Sequence, residues 1–222
     1  VPVDNVAEVG GREIIDELLA SVTNDNRWTS SEFSKSKSVD LVSKDLYENW
    51  FNNFHKDIQK QLEKNWGAVP GNTMIYDDEF LIPGIINGNV FIGLQPSRSN
   101  NEDADKTYHS TENPPPHHYQ VYYSWIEEIF KADLICHVGT HGTLEWLPGK
   151  EVGLYESCFP DINIGSLPHL YIYNIGILGE GMQARRRSNA VILDHMIPSM
   201  DRSDTYDELA EIEELLESYG HA

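Results

Sequence analysis

Three short apolar runs constrain this chain most: NVFIGL at 89–94, DLICHV at 133–138 and LYIY at 170–173. Runs of this length read as buried strands, too short for a core helix. Between the first two, Tyr122, Trp125, Ile126 and Ile129 mark one face of a helix that runs to about Phe130. After the third, residues 181–195 suit another helix, with Arg185, Arg186 and Arg187 on it. Strand, helix, strand, loop, strand, helix most simply folds as a largely parallel sheet with flanking helices and right-handed crossovers. The expected class is therefore α/β over residues 85–200.

The flanks read differently. Ile14, Ile15, Leu18 and Leu19 predict a short helix, followed by a polar loop over 21–38. Leu46, Trp50, Phe54, Ile58, Leu62 and Trp66 recur every four residues, predicting one long helix with Asp40 as N-cap and Gly67 as its stop. Residues 1–84 thus form a helix-rich segment preceding the α/β core. Residues 201–222 hold eight acids and one base, with Tyr206, Leu209, Ile212, Leu215, Leu216 and Tyr219 at helical spacing. That tail is expected to be an acidic amphipathic helix whose apolar stripe needs a partner.

Charge narrows the function classes. The 222 residues carry 36 Asp+Glu against 16 Lys+Arg, a formal charge of −20. A nucleic-acid binder carries a basic face, and a protein that docks on anionic lipid does the same, so neither partner is expected. With 5 Trp, 7 Phe and 11 Tyr the chain is too aromatic for a disordered acidic segment. Two cysteines, Cys136 and Cys158, cannot form a disulfide framework and read as reduced thiols. No run of 18 apolar residues occurs, so membrane insertion is not expected and the cytoplasm is the expected compartment. The chain opens Val-Pro-Val without Met, which suggests a segment of something longer.

Histidine supplies the candidate chemistry. Seven of nine (His109, His117, His118, His137, His141, His169 and His195) fall within residues 109–195. Imidazole is both the commonest transition-metal ligand and the usual proton-transfer group near pH 7. The richest stretch, HVGTHGTLEWLPGK at 137–150, directly follows the strand at 133–138. In open α/β sheets ligands bind outside the carboxyl ends of strands. His137, His141 and Glu145 are spaced by four, and two imidazoles with a carboxylate suit either a weak divalent-metal site or a proton relay. The order His-Glu-x-x-His of a zincin is absent, and Gly149-Lys150 is followed by Glu151, so no P-loop is present. Gln95-Pro-Ser-Arg98 follows another strand end, where Arg98 either grips a carboxylate with two hydrogen bonds or is an exposed loop arginine. Pro114–Pro116 leads to His117-His118, a fixed ligand pair or a helix-entrance cap. Arg185–Arg187 either bind acidic groups or form the outer face of a helix.

These segments occur together in one order: LQPSR (94–98), YHSTENPPPHHY (108–119), HVGTHGTLEWLPGKEVG (137–153), ESCFPD (156–161), LPHLYIYN (167–174) and ARRRS (184–188). In that combination the chain resembles the large subunits of the tetrapyrrole metal chelatases, the CobN and magnesium chelatase H family. The resemblance covers roughly residues 85–222, and residues 1–84 match only loosely. Family members are much longer, so it implies a fragment of a multidomain subunit. The proline-rich loop before His117-His118 looks like the cobalt form.

The resemblance implies an ATP-dependent enzyme in which this subunit binds the macrocycle while AAA+ partner subunits hydrolyse Mg-ATP. The metal substrate would be Co²⁺ and the macrocycle similar to hydrogenobyrinic acid diamide, on the way to cobalamin. The magnesium branch would instead insert Mg²⁺ into protoporphyrin IX. A non-catalytic tetrapyrrole- or metal-binding module is the reading from another class. Insertion needs a metal held by weak, exchangeable ligands, two pyrrole protons removed and a macrocycle held in place. Glu145 is then expected as proton acceptor or metal guide, with His137 and His141 in metal delivery or proton relay. His117 and His118 would line the site, with Gln95 and Lys150 also contacting substrate and Arg98 pairing with a peripheral carboxylate.

Overall fold

The computed structural model describes residues 12–22, 38–98, 110–140, 142–173, 178–194 and 208–220. Helix α1 (Arg12–Val22) covers the first predicted helix. Strand β1 (Ser38–Ser43), not foreseen, then feeds directly into α2 (Lys44–Asn53). The Ser43 hydroxyl caps α2 by accepting from the Leu46 N–H, so the cap is Ser43 and Asp40 lies inside β1. The period-four stripe is not one helix: it breaks at Phe54–His55 and resumes as α3 (Lys56–Trp66). Gln59, largely buried, bridges the break by donating to the carbonyls of Asn52 and Phe54. Those carbonyls would otherwise lack partners at the end of α2. Gly67 ends α3 at a φ of 80°, as its position in the sequence suggested.

Strands β2 (Ile75–Tyr76) and β3 (Glu79–Pro83) join β1 in an antiparallel sheet of order β1-β3-β2. Next, β4 (Ile85–Asn87) and β5 (Val90–Ile92) form a separate antiparallel hairpin. The run at 89–94 is therefore not part of the parallel sheet. Its two-residue Gly88-Asn89 turn, with Gly88 at a φ of 61°, is a local hairpin signal that outweighs the apolar run.

Helix α4 (His117–Glu128) is the hub, with nine of its twelve residues buried. A helix buried on nearly every side packs against neighbours all round. The chain continues through β6 (Ile135–Gly139), a 3₁₀ turn (Leu144–Trp146), α5 (Phe159–Ile164), β7 (His169–Tyr173), α6 (Leu178–Arg187), β8 (Val191–Leu193) and α7 (Glu208–Gly220). Strands β6, β7 and β8 are parallel and adjacent in that order. The fold is thus mixed α/β with a three-stranded parallel sheet, as the strand–helix alternation implied.

One core joins Val42, Tyr47, Phe51, Ile58 and Phe80 to Tyr119, Tyr122, Trp125, Ile135, Leu144 and Phe159. It therefore runs across residue 84, binding the N-terminal helices and strands to the segment that carries the histidines. A smaller cluster of Tyr171, Tyr173, Ala184 and Ala190 packs α6 on the parallel sheet. Among the described residues, no helix is long and apolar enough to cross a membrane.

Between β1 and α4, the Trp125 indole N–H donates to the Asp40 carboxylate at 2.7 Å, with Trp125 almost fully buried. Asp40→Ala leaves that donor without a partner and should cost about 1–3 kcal/mol in urea unfolding. Asp40→Asn keeps an acceptor and should recover most of the loss.

Candidate functional site

The loop after β6 is held by two buried arginines. Leu144 and Leu147 anchor its 3₁₀ turn in the core, both fully buried, and Pro148 follows. Arg98 is fully buried and donates to the carbonyls of Trp146 (3.1 Å), Asn113 (3.2 Å) and Ser110. Arg187, on the last turn of α6 and also buried, donates to the carbonyls of Glu145 (2.7 Å), Leu147 (2.5 Å) and Lys150 (2.7 Å). It also pairs with Glu151 at 3.5 Å. Three successive carbonyls, 145 to 147, are thus gripped from two sides. Burying a guanidinium costs several kcal/mol, and charged hydrogen bonds of about 1.5–3 kcal/mol each offset it. This placement corrects two expectations. Arg98 is a clamp on backbone carbonyls and not an arm for a substrate carboxylate. Arg187 is turned inward and does not share an outer face with the exposed Arg185 and Arg186.

The clamped turn carries Glu145, whose side chain is fully buried and whose Oε1 accepts from the Gly142 N–H at 2.9 Å. A Cβ at Gly142 would meet the Gln95 amide at 2.8 Å, so the loop passes Gln95 closely because that residue is glycine.

Beside it runs a chain of hydrogen bonds whose direction is fixed at both ends. The Ser188 carbonyl can only accept, so His169 Nδ1 carries a proton and donates to it at 2.8 Å. Neutral His169 then accepts at Nε2 from His137 Nδ1–H, at 3.0 Å. His137 Nε2 in turn accepts from the Tyr123 hydroxyl at 3.1 Å. From the other end, the Thr143 N–H must meet an oxygen, which orients the Gln95 amide, at 2.6 Å. Gln95 Nε2 donates to Tyr123 at 2.8 Å, which agrees with the direction read from Ser188. Tyr119 closes the chain on the Thr143 hydroxyl at 2.9 Å. Burial and the neighbouring His169 push His137 down to about 3, and burial lowers His169 as well. Both imidazoles are neutral at pH 7.

The parallel strands end at this place. At the end of β7 the Tyr173 hydroxyl is buried and makes no hydrogen bond among the described residues. Burial, then the charges of Glu180, Glu145 and Asp194, hold it well above the usual phenol range. Three carboxylates from the loop, from α6 and from the residue after β8 therefore act on one point at the carboxyl edge of the sheet.

The other predicted residues lie as follows. His117 uses both ring nitrogens, one on the Tyr47 hydroxyl and one on the Gly67 carbonyl, each at 2.9 Å. His118 binds the Leu81 carbonyl at 3.0 Å, and burial lowers it to about 4. Both tie α4 to the N-terminal elements, so the structure does not make them a ligand pair. His137, with both nitrogens engaged, is placed as a strut and not as a metal ligand. Lys150 is exposed, its Nζ 4.8 Å from the Tyr155 ring centre. Gln95 is central, as described. His141, His109 and His195 lie outside the described residues. Among the described residues no group of three His, Cys, Asp or Glu side chains could hold a metal ion. Tyr119, Tyr123, Thr143 and Tyr173 were not singled out in the sequence, and Arg187 only as one of the run Arg185–Arg187. Their partners lie up to 48 residues away, and no local motif announces them.

The family model for CobN/Magnesium Chelatase matches residues 3–222. The chain belongs to the CobN/magnesium chelatase family. An uncharacterised protein of Methanocaldococcus jannaschii is 49% identical over 94% of this chain and 17% of its own length. The chloroplastic magnesium-chelatase protein ChlH of Oryza sativa is 39% identical over 71% of this chain and 11% of its own. The catalytic subunit of cobaltochelatase from Mycobacterium tuberculosis superposes with a TM-score of 0.69 at 37% identity, covering 82% of this chain and 16% of that one. The chain thus spans less than a fifth of the length of these relatives.

Two outcomes follow from this geometry. A histidine whose folded value lies below the ordinary 6.5 adds stability that is complete above that pH and lost as pH falls toward the folded value. His137 and His118 set that window between about 6.5 and 3. The urea midpoint should therefore be flat above pH 7 and fall between pH 6.5 and 5, before most carboxylates protonate. Separately, Arg187→Lys removes the fork that reaches the loop carbonyls and should cost about 2–3 kcal/mol in the same assay.

Proposed function

We propose that this chain forms part of the large subunit of an ATP-dependent cobaltochelatase that binds a tetrapyrrole and inserts Co²⁺, in cobalamin biosynthesis. Family membership and the relatives' chelatase activities support the reaction class. The observation that carries the site is Glu145, a fully buried carboxylate on a clamped loop at the strand ends. Insertion must remove two pyrrole protons, and a carboxylate fixed in a site that excludes water is suited to receive them. In this reading Glu145 takes a proton as the macrocycle nitrogen binds the metal. His141 and the carboxylates of Glu180 and Asp194 present weak, exchangeable ligands to the arriving Co²⁺. The struts His137, His169 and Tyr123, with Gln95, position the loop and do not carry the metal. The hydrogen-bond chain ends on the Ser188 carbonyl, which has no proton to pass on. Lys150 lies on the exposed flank, where it would meet acidic groups on the rim of the substrate.

Cobalt is preferred on the proline-rich YHSTENPPPHHY segment and the cobaltochelatase structural relative. Magnesium insertion into protoporphyrin IX is the second reading, favoured by the magnesium-chelatase relative. ATP would be hydrolysed by AAA+ partners in the cytoplasm, in keeping with Gly149-Lys150-Glu151 not being a P-loop.

The test is chelation by the full-length subunit with its AAA+ partners, using Co²⁺ and Mg²⁺ in parallel. Glu145→Gln keeps the acceptor for Gly142 and should lower kcat by about 10²–10⁴ while macrocycle binding is retained. Wild-type turnover in that variant would refute the assignment. Macrocycle binding without any insertion by the wild-type complex would favour a non-catalytic module.

A further inference from the structure

The parallel sheet has one covered face and one open face among the described residues. The covered face carries His137, His169, Tyr171 and Tyr173, with Ala184 of α6 packed on the tyrosines. On the other face the register aligns Cys136 with Leu170 and Val191, and Val138 with Ile172 and Leu193. Two rows of three apolar side chains therefore cross all three strands. Val138 is 73% exposed, Val191 67% and Leu193 55%, and Cys136 is also exposed. Parallel sheets are covered on both faces almost without exception, because each strand is apolar on both sides.

The same chain holds a second uncovered apolar surface of matching size. On α7, Leu209, Ile212, Leu216 and Tyr219 fall at spacings of three, four and three, with exposures of 63%, 51%, 66% and 84%. Glu211, Glu214 and Glu217 interrupt that stripe only on its polar side. The 13 residues of α7 are about 20 Å long, and three strands are about 10 Å across, so one helix covers the two rows. Residues 194–207 join β8 to α7, and fourteen residues reach at most about 50 Å, far more than the return across the sheet requires.

We infer that α7 docks by its apolar stripe across the open face of the β6-β7-β8 sheet. The occupant is this helix because its fourteen-residue connection to β8 holds a complementary apolar stripe beside the face at a local concentration in the millimolar range. Its glutamates stay in water on the outer side, so docking buries no unpaired charge. The sheet is then sandwiched between α6 and α7, as α/β sheets are.

Cys136 sits in the open face and reports on it. In the intact protein, Ile212→Glu with Leu216→Glu should raise the alkylation rate of Cys136 at least tenfold. Cys158, almost fully buried, should stay unreactive and show that the fold persists. Cysteines placed singly at Leu209, Ile212 and Leu216 should include one that forms a disulfide with Cys136 within a single chain under a mild oxidant. Such a bond needs Cα atoms about 4.4–6.8 Å apart. Glu213→Cys and Glu214→Cys, on or near the polar side, should not form it. Unchanged Cys136 reactivity together with no pairing along the stripe would overturn the docking. A disulfide that links two chains would also overturn it, assigning the face to a second copy.

Discussion

Two buried guanidiniums determine where the candidate site stands. A charged group taken out of water needs hydrogen-bond acceptors to offset its lost hydration. Arg98 and Arg187 meet that requirement largely on backbone carbonyls, and three of those carbonyls are consecutive, 145 to 147. The loop therefore cannot move without uncovering a charge. Since Glu145 is the first residue of the gripped trio, its carboxylate inherits the same rigidity. A buried carboxylate on a loose loop would swing out to water; on this one it stays at the strand ends.

The imidazoles serve that placement. The two fixed ends of the hydrogen-bond chain, the Ser188 carbonyl and the Thr143 N–H, leave one consistent arrangement of protons between them. It links β6, β7, α4 and the loop through neutral groups. A histidine with both nitrogens engaged offers no lone pair to a metal. This separates the histidines that hold the fold, His117, His137 and His169 through both nitrogens and His118 through one, from the carboxylates at the sheet edge.

Much of the fold was legible because its signals are local. Strands β6 and β7 and helices α4, α6 and α7 all follow from apolar period and from proline or glycine punctuation. The misreadings have physical causes. The 89–94 run looked like a core strand, but the adjacent Gly88-Asn89 turn closes a hairpin within eight residues. The stripe from Leu46 to Trp66 kept its period across a break that Gln59 patches from the next helix. The site was legible as a region, since the loop at 137–150 does stand at strand ends, but not in its roles. Arg98 reads as a free cation in sequence, and only the folded backbone supplies the carbonyls of Trp146, Ser110 and Asn113 around it. Arg187 was hidden in a run of three, of which the helix turns only this one inward.

The central claim is that the histidine pair at the heart of the site is neutral, with its protons fixed in one arrangement. Nitrogen-15 NMR of histidine-labelled protein at pH 7 tests it directly. The account predicts that at pH 7 His137 and His169 are both neutral with the proton on Nδ1, and that both titrate below the ordinary 6.5. An imidazolium at either position, a proton on Nε2 of His169, or ordinary titration near 6.5 would contradict it.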